Sequence, residues 1–217
     1  MFGEIMVVEF ARALFAAGWV NVTLTVATFP LMLMVGGLIA VLRSIPFRPL
    51  NLLLGMYVDA IRATPLLLHL FFVFFGLPMW GILFYAWKSA LVMLTLHFAA
   101  YQSVVFRSAV SSVPKSVREA SMALGIEGFT CFRRVTVPLA FRIALPPTAN
   151  MLVDLFRGTA IVSLLAVQDI VFKGTIMLQT YKGDSPTIFL IIALFFVAVG
   201  YPMSMVVRSL ERKFAIL

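Results

Sequence analysis

Cysteine and acidic residues are scarce in this chain. Its 217 residues include nine Asp and Glu, against 17 Lys and Arg, and a single cysteine, Cys131. One cysteine excludes an internal disulfide and provides no cysteine cluster for a metal, so redox chemistry and structural zinc are not expected. The phosphate-binding pattern G-x-x-x-x-G-K-[ST] is also absent from the sequence. We therefore do not expect this chain to hydrolyse ATP itself.

Hydrophobic residues make up most of the chain. They account for 62% of it, with 21 Phe, and the mean hydropathy is +1.05. A soluble domain of this composition would be covered by exposed apolar surface, so the sequence indicates an integral membrane protein. The net charge of +8 is expected where basic residues flank membrane spans, and we prefer this interpretation to nucleic-acid binding.

Stretches with few or no charges, each long enough to cross roughly 30 Å of hydrocarbon, occur about five times. We predict an all-α polytopic membrane protein with one domain, residues 1–217, and about five transmembrane helices, at 13–42, 50–75, 89–110, 147–168 and 186–207. Residues 1–12 carry Glu4 and Glu9, so they are predicted to form a short surface helix or a frayed end rather than a cleavable signal. Pro146 and Pro147 are predicted to mark the return of the chain into the membrane.

Basic residues are unevenly distributed between the predicted spans. With the N-terminus outside, the inner loops would hold Arg43, Arg48, Lys115, Arg118, Arg133, Arg134, Arg142, Arg208, Arg212 and Lys213. The outer loops would hold Arg12, Lys88, Lys173 and Lys182. Because Lys and Arg near span ends favour the cytoplasm, we predict an outside N-terminus and a cytoplasmic C-terminus. The loop at 113–129 would then be cytoplasmic.

That loop, VPKSVREASMALGIEGF, is the least apolar stretch in the middle of the chain. Ser116 and Glu119 have the spacing of a capping box, and Gly125 is typical of a helix C-cap, so the pattern predicts a helix of about two turns. One side of this helix would present Ala120, Ala123 and Leu124. Two interpretations remain open: a surface helix that closes a loop, or a rigid projection that enters a groove of a soluble partner.

Ionisable residues inside the predicted spans follow a repeated pattern. DAIRAT at 59–64 and DLFRGT at 154–159 share the spacing D-x-x-R-[AG]-T. Asp and Arg at this spacing can neutralise each other on one helix face. Alternatively, they line a polar cavity where a helix interrupted at Pro65 or Gly158 frees backbone groups for the carboxylate and ammonium of a zwitterion.

The second interpretation defines candidate residues for a substrate path. They are Arg157, Thr159, Asp154, Asp59, Arg62, Thr64 and Gln102. Arg157 would bind a carboxylate, and Asp154 or Asp59 would bind an ammonium group. Gln102 is a lesser candidate, with His69 and His97, because a histidine among apolar neighbours is more often a packed interior group than a ligand.

Three segments of the chain match, in order, the motifs of one transporter family. EASMALG at 119–125, followed by RVTVPLA at 134–140 and LP at 145–146, resembles the EAA loop of bacterial ATP-binding-cassette (ABC) importer permeases. YVDAIRATPLLLHLFF at 57–72 resembles the Y-x-x-x-x-R-G-T-P-L-L stretch of the polar amino acid subfamily, the histidine, arginine and glutamine type. FRGTAIVSLLAVQDI at 156–170 resembles its K-D-T-[SA]-L segment, with Arg157-Gly158 in place of Lys-Asp.

The resemblance implies the type I importer (MetI-like) permease fold in the bacterial inner membrane. It implies a non-enzymatic permease subunit for a polar amino acid or a derivative, paired with a second permease, for which a paralogue is favoured over a second copy. It also implies an extracytoplasmic substrate-binding protein and two ATPase subunits that bind ATP and Mg²⁺, with no cofactor on this chain. The coupling helix, seated in a cleft of the ATPase, would comprise Glu119, Ala120, Ala123, Leu124 and Gly125.

The residues alone leave two other functions open. An ATP-independent secondary transporter or channel is the alternative, but it would require inverted repeats or a selectivity ring, and the D-x-x-R-[AG]-T repeat is too short to be the former. A membrane scaffold that binds a soluble partner through 113–129 is the third. It leaves the charged residues inside the predicted spans unexplained.

Overall fold

The computed structural model describes residues 2–180 and 185–214, with side chains described from residue 7. Lys182, which is predicted to lie in an outer loop, is outside the described residues. Four helices of the described part are long and apolar enough to cross a membrane, and a bent helix pair would make a fifth span. The predicted all-α class with about five membrane helices is confirmed.

The first helix, α1 (Phe2–Leu42), is continuous. The prediction of a separate surface helix or frayed end at residues 1–12 is therefore wrong for residues 2–12. The physical reason is local: the first proline of the chain is Pro30, so nothing in the first three turns interrupts the backbone hydrogen bonds.

The second span is broken. It consists of α2 (Arg48–Ala63) and α3 (Leu66–Phe71), which continues through a π-helical turn, Phe72–Gly76, and a 3₁₀ turn, Leu77–Trp80. The two halves meet at an angle of 111°. Pro65 causes the break because it lacks an N–H and restricts the preceding residue, so Thr64 is extended at φ −119° and ψ 144°. The interruption predicted at Pro65 is present.

Helix α4 (Ala86–Ser111) is the centre of the bundle. It packs against α1 at very short range, because a Cβ added at Gly36 would lie 2.9 Å from both the Ala99 carbonyl oxygen and Gln102 Cβ. Lipid tails are as apolar as aliphatic side chains, so the hydrophobic effect does not drive membrane helices together. Close packing and buried hydrogen bonds hold them instead. The glycine at position 36 is what permits this approach.

A loop region with two short helices, and then a long helix, follow α4. Its elements are α5 (Lys115–Ala123), α6 (Gly128–Cys131), a π-helical turn at Phe132–Thr136 and α7 (Val137–Gly158). The prediction that Pro146 and Pro147 mark the start of a span is wrong, because both lie inside α7. A membrane helix tolerates such prolines when neighbouring helices and local adjustments satisfy the freed backbone groups.

The last part of the chain closes the bundle. After α7, a 3₁₀ segment at Thr159–Leu165 leads to α8 (Ile170–Thr180), and α9 (Ser185–Phe214) packs against α7. One apolar core surrounds α4, and a second, which includes Leu14, Phe156 and Ile188, lies beneath α9. Much of α9 faces outward with large apolar side chains, as expected for a helix in contact with lipid.

Candidate functional site

Helix α5 begins just beyond the end of α4. Pro114 precedes it in an extended conformation, at φ −56° and ψ 139°, and Lys115 is the first helical residue. The predicted capping box between Ser116 and Glu119 is wrong, because Ser116 is already inside the helix and no side chain caps its N-terminus. Pro114 is the N-cap residue, and its side chain has no oxygen that could accept a hydrogen bond from the first N–H groups of the helix.

The C-terminal end of α5 agrees with the sequence prediction. Gly125 has φ +73°, a conformation that L side chains rarely adopt. The N–H of Gly125 donates to the Met122 carbonyl at 2.9 Å, and the N–H of Ile126 donates to the Ser121 carbonyl at 3.0 Å. The buried Ser121 hydroxyl lies 3.2 Å from Cys131 Sγ. These contacts fasten one side of α5 to the chain that follows.

The other side of α5 is uncovered. The five residues predicted for coupling are all exposed, namely Glu119, Ala120, Ala123, Leu124 and Gly125. Leu124 is 79% exposed, and Phe129, just beyond, is 74% exposed. An apolar surface of small and medium side chains at a rigid helix end is suited to docking in a cleft.

A polar cluster bridges the break in the second span and α4. The Thr64 hydroxyl is hydrogen-bonded to His69 Nε2, and His69 Nδ1 lies 3.3 Å from His97 Nδ1. The His97 ring packs against the Tyr101 ring at a centroid distance of 5.2 Å. The Arg62 guanidinium in turn lies over the Tyr101 ring, 5.6 Å from its centroid.

Sequence reasoning underestimated the two histidines of this cluster. The sequence predicts each of them as a separate interior group, yet they contact each other although 28 positions apart in the chain. The available signal was their position: His69 follows the break at Pro65, and the stretch from Ser89 to Phe106 has His97 but no Asp, Glu, Lys or Arg. Polar groups near a helix break in a membrane are the ones that can line a path.

The first D-x-x-R pair does not close on itself. Asp59 and Arg62 are exposed, and they line a recess together with Arg43 and Arg107. In the described part of the chain, the ion pair that forms is the second one, between Arg157 and Asp154. Mutual neutralisation therefore does not describe Asp59 and Arg62.

The second pair is formed and open to ligands. Arg157 Nη1 lies 3.8 Å from Asp154 Oδ1, and the two side chains are 65% and 56% exposed. An exposed pair at this distance is weak, so either group remains able to exchange its partner for a charged ligand. After Gly158 the α-helix changes to a 3₁₀ helix, and the predicted interruption takes this milder form.

Thr159 belongs to a buried network that sequence reasoning missed. It is fully buried, its hydroxyl donates to the Phe156 carbonyl at 2.6 Å, and it accepts from Asn21 Nδ2 at 3.1 Å. Asn21 Nδ2 also donates to Asp169 Oδ2 at 3.0 Å, and the N–H of Ile170 donates to Asn21 Oδ1 at 3.3 Å. One asparagine thus joins α1, the end of α7 and the start of α8.

Asp169 has a second role in the same network. Its Oδ1 accepts from the N–H of Phe172 at 2.8 Å, which is the geometry of an N-cap on α8. The sequence signal for this network was weak: Asn21 is a lone amide in the uncharged stretch 13–42, and its partners lie more than 130 residues away.

Gln102 is buried between three helices. Its Nε2 donates to Thr148 Oγ1 on α7 at 2.7 Å, and its Cβ lies against Gly36 of α1. In this conformation, the amide holds α4 and α7 together.

Comparison with known proteins identifies the family. The profile of the family described as "Binding-protein-dependent transport system inner membrane component" matches residues 32–216. The chain belongs to this family. It is therefore a multi-pass inner-membrane component of an ABC transport system, as the three sequence motifs predicted.

Similar curated proteins include permeases from several bacteria. The probable amino-acid ABC transporter permease YckA of Bacillus subtilis is 34% identical to this permease over 70% of the present chain and 67% of its own. The probable amino-acid ABC transporter permease PatM of Vibrio harveyi is 38% identical over 52% of each chain, about half its length. The glutamine transport system permease GlnP of Escherichia coli is 29% identical over 71% of each.

Two solved structures share the fold. A crystal structure of an amino acid ABC transporter with histidines matches with a TM-score of 0.90, at 23% identity, over 96% of this permease and 97% of that chain. The inward-facing MetNI methionine ABC transporter matches with a TM-score of 0.67, at 20% identity, over 97% and 98%. The predicted type I importer permease fold is confirmed.

Proposed function

We propose that this permease forms the translocation path of an ABC importer for a polar amino acid or a derivative, together with a second permease subunit. The proposal assigns a paralogue as the second permease, two cytoplasmic ATPases that bind ATP and Mg²⁺, and an extracytoplasmic binding protein that delivers the substrate. The relatives described as amino-acid, glutamine and arginine permeases support this substrate class. The family description, which names binding-protein dependence, disfavours an ATP-independent carrier.

The observation that carries the proposal is the uncovered surface of α5. Its inner side is fixed by Ser121, whereas Leu124 and its neighbours project from the bundle and are exposed, with no cover from residues 2–180 and 185–214. An apolar anchor on a rigid, glycine-terminated helix is what a groove on a soluble partner would recognise. Movement of the partner would then be transmitted through the short connection at 112–114 to α4, the central helix.

The substrate would interact with the exposed charged pair and the helix break. Arg157 would take the carboxylate of a zwitterion, and Asp154 would take an ammonium group, each exchanging the weak contact with the other for a stronger one with the ligand. The break at Thr64 and Pro65 would supply free backbone groups. Asp59 and Arg62 would lie along the same route, whereas the buried Gln102 and Thr159 would position the helices around it.

Coupling is tested by a charge placed at the end of α5. Gly125→Asp should abolish co-purification of the ATPase or substrate-stimulated ATP hydrolysis, while the permease remains in the membrane. Gly81→Asp is the matched control, because Gly81 is also exposed, has φ +78° and has open space around it. Both substitutions carry the same backbone strain and the same charge. If the two variants retain ATPase association and hydrolysis equally, α5 is not the docking helix.

Orientation follows from the proposal and can be measured separately. In a chain whose Cys131 is replaced by Ala, Ser116→Cys should react with a membrane-impermeant thiol reagent from the cytoplasmic side alone. Lys88→Cys should react from the outside alone, since both side chains are exposed. The opposite pattern would refute an outside N-terminus.

A further inference from the structure

Two depressions meet where α1 and α4 end. The first, here called the basic recess, has a volume of about 310 Å³ and is lined by Arg43, Asp59, Arg62 and Arg107. The second, the apolar groove, has a volume of about 480 Å³, and its lining includes Gly37 on α1. Arg43 and Arg107 line both depressions. The charged recess and the apolar groove are therefore continuous.

The basic recess holds more positive charge than it can neutralise. Three guanidinium groups face one carboxylate, which leaves a net charge of +2, and none of these groups forms an ion pair with another in the described part of the chain. Burial, and then the nearby Arg107, lower the pKa of Arg43 below its ordinary value, while Asp59 acts in the opposite direction. An anion between Arg43 and Arg107 would relieve this repulsion.

The apolar groove extends along α1 away from the two arginines that line both depressions. Arg43 follows directly after α1 ends at Leu42, and Arg107 stands near the end of α4 at Ser111, so these two guanidinium groups lie near the level where two membrane spans terminate. Gly37 precedes Arg43 by six residues, which places it roughly 9 Å further into the span. The groove thus extends from the level of lipid head groups into the level of acyl chains.

We propose that this permease binds an anionic phospholipid here, with its phosphate between Arg43 and Arg107 and the first part of one acyl chain in the apolar groove. The recess alone would suit any phosphate-bearing anion. The adjoining groove, which a free phosphate would leave empty, favours the lipid. Asp59 and Arg62, which the proposed function places along the substrate route, also line the recess, whereas the lipid phosphate is placed between Arg43 and Arg107.

The test is native mass spectrometry of the full-length permease in detergent, titrated with phosphatidylglycerol, phosphatidylcholine and inorganic phosphate in turn. Phosphatidylglycerol should bind more tightly than phosphatidylcholine. The double variant Arg43→Gln, Arg107→Gln should bind phosphatidylglycerol about thirty-fold more weakly, from the usual contribution of two basic residues near a membrane surface. Asp59→Asn should strengthen binding, because it removes the carboxylate that repels the phosphate.

A control for charge uses two exposed arginines near the end of α9. Arg208→Gln with Arg212→Gln removes the same charge and should leave phosphatidylglycerol binding unchanged. An equal loss in this control would show general attraction to a basic surface and would overturn the site. Equal binding of phosphatidylglycerol and phosphatidylcholine would overturn it as well.

A further variant distinguishes the lipid from a free anion. Gly37→Leu leaves every charge in place and fills the groove toward Phe106, so it should weaken phosphatidylglycerol binding and spare the binding of inorganic phosphate. This variant decides the question even where the double arginine variant does not fold. Unchanged phosphatidylglycerol binding in Gly37→Leu would refute the acyl-chain contact and, with it, the lipid.

Discussion

Replacing Asn21 with Ala should destabilise the permease more than replacing any other Asn or Gln with Ala. The substitution removes both donated hydrogen bonds, to Thr159 and Asp169, and the bond accepted from the N–H of Ile170. Thr159 keeps its bond to the Phe156 carbonyl. Asp169 and Ile170 are fully buried, so one carboxylate oxygen and one backbone N–H lose their partner where water does not replace it.

The expected magnitude follows from these two groups. Each buried donor or acceptor left without a partner costs about 1–3 kcal/mol, and a charged one costs more, so the loss should be about 2–6 kcal/mol. For a chain of this size, that corresponds to a fall of roughly 5–20 °C in the unfolding midpoint. Asn21→Asp, which matches Asn in size, should be at least as damaging at neutral pH. It places a second carboxylate beside Asp169 and removes the donor between them.

The assay is thermal unfolding of the detergent-solubilised protein, followed by the fraction that remains monodisperse in size-exclusion chromatography. Asn150→Ala is the control, because the Asn150 amide is exposed and donates one hydrogen bond, to Glu211 Oε1 at 2.9 Å. It should lower the midpoint by no more than a few °C, as expected for a net hydrogen-bond contribution near 1 kcal/mol. Equal midpoints for the Asn21→Ala and Asn150→Ala variants would refute the reasoning.

Two further predictions concern packing and the charged pair. Gly36→Ala should sharply reduce the yield of folded protein, because its Cβ would lie 2.9 Å from the Ala99 carbonyl oxygen. Gly37→Ala is the control and should be tolerated, because its Cβ would lie 3.7 Å from the nearest side chain. Comparable yields of the two variants would contradict this. Arg157→Ala and Asp154→Asn should each impair uptake by the reconstituted transporter, and the double variant should remain inactive with normal assembly. Recovery of uptake in the double variant would instead mean that the two groups merely neutralise each other.

Local signals were sufficient where one residue dictates the backbone. Pro65 disfavours a continuous helix at Thr64, and Gly125 permits the left-handed turn that ends α5, so both boundaries could be predicted from the sequence. The three segments that match the family motifs are likewise visible in the sequence alone. In each case the information lies within a few consecutive residues.

Signals that depend on tertiary context were misread or missed. Pro146 and Pro147 have the sequence signature of a helix boundary, yet they lie inside α7, where packing within the bundle outweighs the local preference. Ser116 has the spacing of a capping residue, but Pro114 sets the helix start first. The contact between Asn21 and Asp169 joins residues 148 positions apart, and no pattern within either segment indicates it.

The contact between α5 and Cys131 also makes movement of α5 measurable in the permease. Cys131 is the single thiol of the chain, and it is buried against Ser121 on the inner side of α5. As long as α5 is seated, a thiol reagent has little access to this sulfur, and any lifting of α5 would uncover it. The labelling rate of the unmodified protein would therefore measure how often α5 leaves its seat. In the transporter assembled with the proposed ATPases, comparing that rate with and without nucleotide would show whether nucleotide binding lifts α5.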